Sequence, residues 1–167
     1  MANLGGEKTV SDTVVWLTPP HIIEALGPFD LDPCAPADGE RPFETAASYW
    51  SEEQDGLVQP WHGRVWCNPP YGPGMDKWLA KLAEHGDGMA LVFARTETRA
   101  FFEGIWDHAD ALFFFRGRLK FFRPDGSPGA TAQSPSVLAA YGSRNVTALE
   151  DAVATGKLVG KLVYLKQ

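Results

Sequence analysis

Short apolar runs recur along the chain, separated by segments whose apolar positions fall at helical spacing. Residues 89–94 and 111–115 are nearly continuous apolar stretches, the pattern of strands buried on both faces. Residues 63–67 form a third such run, and 29–32 form a short strand that Pro33 is expected to end. Trp78, Leu79 and Leu82 mark a helix over 75–85 that Gly86 and Gly88 stop, and Phe101, Phe102, Ile105 and Trp106 mark another over 97–108. Upstream, Thr18 is placed to cap a short helix over 21–26, with Pro19 at its first position and Gly27-Pro28 closing it. Residues 33–57 are polar and irregular, with room for one short strand.

The alternation of strand and helix from residue 29 to 115 predicts an α/β fold with a largely parallel sheet and helices on both faces. Beyond it, 119–122 and 136–141 read as strands flanking a Pro/Gly-rich loop over 124–135, an antiparallel return at one edge. Residues 148–155 read as a last helix and 158–165 as a short strand or tail. The expected organisation is a flexible N-terminus over 1–12, one domain over 13–145, and a C-terminal helix and tail over 146–167 packed on that domain. In open α/β sheets ligands gather at the carboxyl ends of the strands, where Asp32 and Asn68 both fall.

Composition narrows the setting. A chain of 167 residues with 44% hydrophobic content fits one folded domain, and no apolar run approaches a membrane span. Cys34 and Cys67 are far apart in sequence and form no CxxC pair, so the expectation is two thiols in a reducing cytoplasm and no metal site. The net charge of −6 is unevenly spread: residues 1–94 carry −9, whereas 116–123 hold Arg116, Arg118, Lys120 and Arg123 with no acid. Such a strip can meet phosphate while the rest of the surface stays acidic; it equally suits a solvated strand edge.

The chemistry lies in Asn68-Pro69-Pro70-Tyr71, at the end of a buried strand. An exocyclic amine on a base is a poor nucleophile because its lone pair is delocalised into the ring. Two acceptors set against its two N–H bonds draw the nitrogen toward tetrahedral geometry and aim the lone pair at an electrophilic methyl. The Asn68 side-chain oxygen and the Pro69 carbonyl are suited to that task. Pro69 and Pro70 stiffen the backbone, and Tyr71 offers a face for a base turned out of its stack. Asn68 orients the amine and takes up no proton.

These residues, with Thr18-Pro19-Pro20, Asp30-Leu31-Asp32-Pro33-Cys34-Ala35, Asp55-Gly56-Leu57, Trp78, Lys81 and the segment from Arg116 to Phe121, resemble the phage-type DNA N6-adenine methyltransferase (Dam) family of the class I methyltransferases. The resemblance implies a Rossmann-like sheet, S-adenosyl-L-methionine as cofactor and double-stranded DNA with a flipped-out adenine as substrate. It implies that Thr18, Pro19, Asp32 and Pro33 meet the methionine end of the cofactor, and that Cys34, Ala35 and Asn68 are also among the cofactor contacts. By the same resemblance Asp55 accepts from the cofactor's adenine amine, with Leu57 against the ring. Arg95, Arg99, Arg116, Arg118 and Lys120 are the candidate DNA contacts. One departure stands out: no glycine follows Asp32 until Gly39, and Glu44, Glu52 and Glu53 are equal candidates for a ribose-binding acid. RNA adenine or a protein glutamine amide is a chemically equivalent acceptor, and a non-catalytic nucleic-acid-binding subunit is the reading from another class. With no room for a large target-recognition domain, an oligomer or partner subunit is also envisaged.

Overall fold

The computed structural model describes residues 15–166. In chain order the elements are α1 (Pro20–Leu26), β1 (Leu31–Ala35), β2 (Ser48–Ser51), β3 (Val65–Cys67), α2 (Met75–His85), β4 (Gly88–Phe93), α3 (Arg99–Phe101), β5 (Ala111–Phe115), β6 (Lys120–Phe122), β7 (Pro128–Thr131), β8 (Ser136–Tyr141), α4 (Ser143–Ala154) and β9 (Gly160–Tyr164). A 3-10 turn, Glu52–Gln54, follows β2, and α3 widens into a π turn over Phe102–Trp106. Residues 1–12 lie outside the described residues. Among those described, no helix is long and apolar enough to cross a membrane.

Seven strands form one sheet in the order β2-β1-β3-β4-β8-β5-β9. The first four are mutually parallel; β8 is antiparallel to both β4 and β5, so β5 runs with the first four, and β9 is an antiparallel edge. The mostly parallel α/β sheet is therefore as the sequence predicts, and its edge strand is antiparallel. The strand over 136–141 is not that edge, however. It is inserted between β4 and β5, where all six of its residues are buried, as are all six of β4. Its uninterrupted Val137–Tyr141 run suits a central strand with two covered faces.

Alternation along β4 divides the core. Met89 and Leu91 pack with Trp66, Leu138 and Leu149 under α1 and α4, and Ala90 and Val92 pack with Leu79, Leu82 and Phe101 under α2 and α3. Helix α2 ends at Gly86, whose left-handed φ of 75° lets its amide close on the Leu82 carbonyl at 2.9 Å. Gly88, expected to help stop that helix, instead opens β4.

Three local expectations change. Strand β1 does not stop at Pro33 but runs through it to Ala35, because Pro33 falls where the β1–β2 register shifts and a missing N–H costs no ladder bond. Asp32 thus sits within the strand. Thr18 does not cap α1: Pro19 is the N-cap, Pro20 is the first helical residue, and no side chain caps the helix. Residues 124–135 are not one loop, since β6 and β7 make a separate hairpin tied to Leu17 through paired backbone bonds with Phe122 of 2.8 and 3.0 Å.

At the amino ends of the strands, opposite Asn68, Arg64 clamps three elements. It is only 7% exposed. Its Nε donates to Asn145 Oδ1 at 2.6 Å and its Nη1 to the carbonyls of Leu26 (2.6 Å) and Pro28 (3.1 Å), while the guanidinium lies 4.2 Å above the Phe29 ring. Replacing Arg64 with Met leaves those buried acceptors without their donor. The expected loss is about 3 kcal/mol of unfolding free energy, measured by urea denaturation; a loss below about 0.5 kcal/mol would contradict the clamp.

Candidate active site at the carboxyl ends of the strands

β3 delivers Asn68 directly. Three residues of ladder end at Cys67, the two prolines can donate no further strand bonds, and Asn68 is left 1% exposed at the rim of the core. Its side-chain nitrogen donates to Thr18 Oγ1 at 3.1 Å, and the Trp66 indole N–H donates to the same oxygen at 3.3 Å. That pair of bonds turns the carboxamide so that its nitrogen faces Thr18 and its oxygen remains the acceptor. Thr18 is buried, and its hydroxyl serves Asn68, not the helix.

Tyr71 is anchored through its hydroxyl, which donates to the Leu91 carbonyl at 3.2 Å, and its ring stacks on Phe93 with centroids 4.3 Å apart. Burial holds its phenol well above the usual range, so it remains protonated. The phenol is thus not poised to exchange a proton.

Around Asn68 three hollows open. The smallest is lined by Thr18, Asp32, Arg41, Phe43, Thr45 and Asn68 among others. Asp32 is 2% exposed; its Oδ1 accepts from the Cys34 amide at 3.0 Å and its Oδ2 from the Thr45 hydroxyl at 2.5 Å. Burial raises its carboxyl above the ordinary value, and the Thr45 and Cys34 bonds and the Arg41 charge pull the other way without cancelling it. A desolvated carboxylate held by two donors gains most from a cation that enters beside it.

The second hollow, about 370 Å³, is bounded by Pro33, Cys34, Ala35, Glu52, Asp55, Gly56, Pro70 and Trp78. Asp55 has φ 54°, among the described residues the one non-glycine position in the left-handed region, and its Oδ1 accepts from the Leu57 amide at 3.1 Å. A Cβ on Gly56 would overlap the Pro33 carbonyl. Gly56 thus packs directly on the Pro33 backbone, where no side chain fits. Of the acids left undecided by sequence, Glu52 lines this hollow, Glu53 lines a separate hollow of about 520 Å³ along β2, and Glu44 lines neither. Leu57 lies outside the lining.

Beneath this wall the sequence-distant Cys34 and Cys67 meet with sulfurs 3.6 Å apart, as two thiols. Burial first, and then Cys67, pushes the Cys34 thiol well above its usual range, which makes it a poor nucleophile.

The third hollow, about 300 Å³, lies beside Tyr71 and is lined by Met75, Phe93, Arg95, Thr98 and Phe101. Of the candidate DNA contacts, Arg95 lines it. Arg99 is exposed and paired with Glu103 at 2.8 Å, Arg118 donates to the carbonyls of Ala132 and Gln133, and Arg116 and Lys120 are exposed. Phe121 is fully buried and Phe122 packs edge-on against Phe43, so both serve the fold. Pro19 stays with α1 and lines none of the three hollows.

Sequence reading missed Thr45 and Arg41 because each lies in irregular chain and reaches Asp32 only through tertiary packing. Trp78 was visible, since it falls on the helical stripe that faces the sheet, but its spacing could not distinguish core from cavity wall.

Against this geometry, the family model described as DNA N-6-adenine-methyltransferase (Dam) matches residues 6–143, a span covering every element from α1 to β8. The chain belongs to the DNA N-6-adenine-methyltransferase (Dam) family. The activity of that family is methylation of DNA adenine at N6, and the resemblance carried by Asn68-Pro69-Pro70-Tyr71 and the Asp32 and Asp55 segments is to the same family. Comparison with curated proteins and with solved structures yields no match.

The buried Asp32 carboxyl has a directional consequence for pH. Its folded value lies above its unfolded one, so its ionisation favours the unfolded chain: nothing is lost below the ordinary carboxylate range, and stability falls as pH rises through the folded value. Asp32→Asn is therefore expected to melt above the wild type near pH 8 in the absence of ligand, with the gain vanishing toward pH 3. Thermal melts across that range check this, and a variant that melts lower at pH 8 contradicts it.

Proposed function

We propose that this Dam-family chain uses S-adenosyl-L-methionine and transfers a methyl group in line to N6 of an adenine turned out of duplex DNA. The observation that carries the proposal is the placement of Asn68, whose amide orientation is held by Thr18 and which borders the Asp32 hollow on one side and the Tyr71 loop on the other.

The donor set fits the cofactor at both ends. Asp32 suits the ammonium of its methionine moiety, while Glu52 and Asp55 suit the ribose hydroxyls and the adenine amine, with Trp78 against the base. Cys34 and Ala35 are small enough to let the ligand lie against β1. When bound, the cofactor supplies an electrophilic sulfonium methyl. The protein supplies position: Asn68 Oδ1 and the Pro69 carbonyl accept the two N–H bonds of the target amine and localise its lone pair. The proton leaves to solvent as positive charge builds on that nitrogen, because neither the carboxamide nor the protonated Tyr71 phenol takes it up.

The hollow beside Tyr71 supports a base-binding role, with aromatic walls at Tyr71 and Phe93 and a cation at Arg95 near its mouth. Exposed Arg116 and Lys120 suit phosphate contacts beyond it.

Asn68→Ala is expected to lower methyl incorporation into DNA adenine by about two to three orders of magnitude. Its affinity for S-adenosylhomocysteine should stay close to that of the wild type. Tritiated-methyl transfer and calorimetry test the two halves, and near wild-type turnover, or label on RNA or glutamine in place of DNA, would overturn the proposal. Thr18→Val, which removes the anchor of the amide, should cost about tenfold in kcat at saturating cofactor, and Thr18→Ser should recover most of it. A Val variant with unchanged kcat would separate Thr18 from the chemistry.

A further inference from the structure

Helix α2 leaves the catalytic loop at Met75, and Trp78, Lys81 and His85, one turn apart, all meet the segment from Asp55 to Gly63. The Lys81 ammonium donates to three backbone carbonyls of that segment, Gly56 at 3.2 Å, Leu57 at 2.6 Å and Gln59 at 2.6 Å. It lies 5.2 Å from the centroid of the Trp61 ring, whose indole N–H donates to the Gly56 carbonyl at 2.8 Å. The Trp61 ring is stacked on Trp78 and met edge-on by His85, and His85 Nε2 hydrogen-bonds the Gly63 carbonyl at 2.7 Å.

An ammonium has three N–H bonds, and here all three have a carbonyl partner. No carboxylate pairs with Lys81 among the described ion pairs. The arrangement makes sense from the side of the loop. Three carbonyl oxygens that converge on one point repel each other and are removed in part from water, so a cation among them reinforces the bonds that the Asp55 carboxylate and the Trp61 indole make in the same turn. The same turn begins at Asp55, whose left-handed backbone is disfavoured for a residue with a Cβ and persists only where its surroundings fix it. It then passes Gly56 against the Pro33 carbonyl with no space for a side chain. Asp55 and Gly56 line the hollow of about 370 Å³ and Lys81 does not.

We infer that Lys81 is a positioning residue for the adenosine end of the cofactor: by caging the carbonyls of residues 56, 57 and 59 it holds Asp55 in the one backbone conformation that forms the wall of the hollow. The inference rests on the cofactor reading above. It assigns Lys81 no contact with ligand or DNA and no part in the transfer step, so its removal weakens adenosyl binding and leaves the chemistry of the bound complex intact.

Lys81→Met keeps the alkyl stem and removes the charge. Calorimetry with S-adenosylhomocysteine and with 5′-methylthioadenosine, which lacks the amino-acid end, should show about tenfold weaker binding of both, by a similar factor. The cofactor KM should rise correspondingly with kcat at saturation unchanged, amide hydrogen exchange should accelerate over residues 55–61 and not in β4 or β8, and Lys81→Arg should recover part of the affinity. Equal affinities in variant and wild type, a loss confined to S-adenosylhomocysteine, or a fall in kcat as large as the rise in KM would each overturn the role. Wild-type protein that binds neither ligand would overturn the cofactor reading itself and this role with it. If Lys81→Met does not fold, Trp61→Phe removes the second donor to the Gly56 carbonyl: about threefold weaker binding of both ligands is expected, and unchanged affinity overturns the inference.

Discussion

Two successive prolines after Asn68 deny the third strand any further ladder bonds, and much of the site follows from that one refusal. β3 is only three residues long, so Asn68 is left at the edge of the buried core and not out on a loop tip. A rigid Pro-Pro step leads to Tyr71, which the Leu91 carbonyl and Phe93 hold down, and α2 starts four residues later. Chemistry that depends on aiming a lone pair needs its acceptors fixed to a fraction of an ångström, and a side chain on a strand end with an anchored amide meets that need better than one on a mobile loop.

In the proposed reading, an acceptor at the strand end also sets how the cofactor is reached. Asp32 lines one hollow, and the next residues of β1, Pro33, Cys34 and Ala35, line the hollow that bears Asp55. Folds that bind nucleotides commonly let the ligand approach through glycines directly after the first strand. Here the strand continues through Pro33, whose carbonyl packs directly against Gly56. The wall is built from two segments that touch, which makes the shape of the Asp55 turn as important as its residues.

Much of the sheet was legible because β4, β5 and β8 are apolar runs with nothing polar to contradict them, and Asn68-Pro69-Pro70-Tyr71 was legible because prolines punctuate structure locally. What escaped was settled at long range. Pro33 in a strand is tolerated only because a register shift lies beside it, and Thr18 looks like a helix cap until Trp66 and Asn68 are packed against its hydroxyl. The irregular segment before β2 gave no hint that Thr45 would donate to Asp32, and Lys81, although part of the family resemblance, carried no sign of the three carbonyls that its ammonium meets. The position of β8 between β4 and β5 is likewise invisible to periodicity, which reports how buried a strand is and not which neighbours it has.

That insertion governs the order of assembly. β4 can pair with β3 as soon as both exist, but its other edge, six buried apolar or small residues, stays open until β8 is made more than forty residues later. β5 has no partner in the sheet either until β8 arrives to bridge it to β4. The half-sheet β2-β1-β3-β4 keeps an unpaired edge until β8 closes it, and the closing pairings are non-local. During synthesis the nascent chain carries that open edge while residues 94–135, from α3 through the β6–β7 hairpin, are made, and the strand that seals the sheet comes only after them.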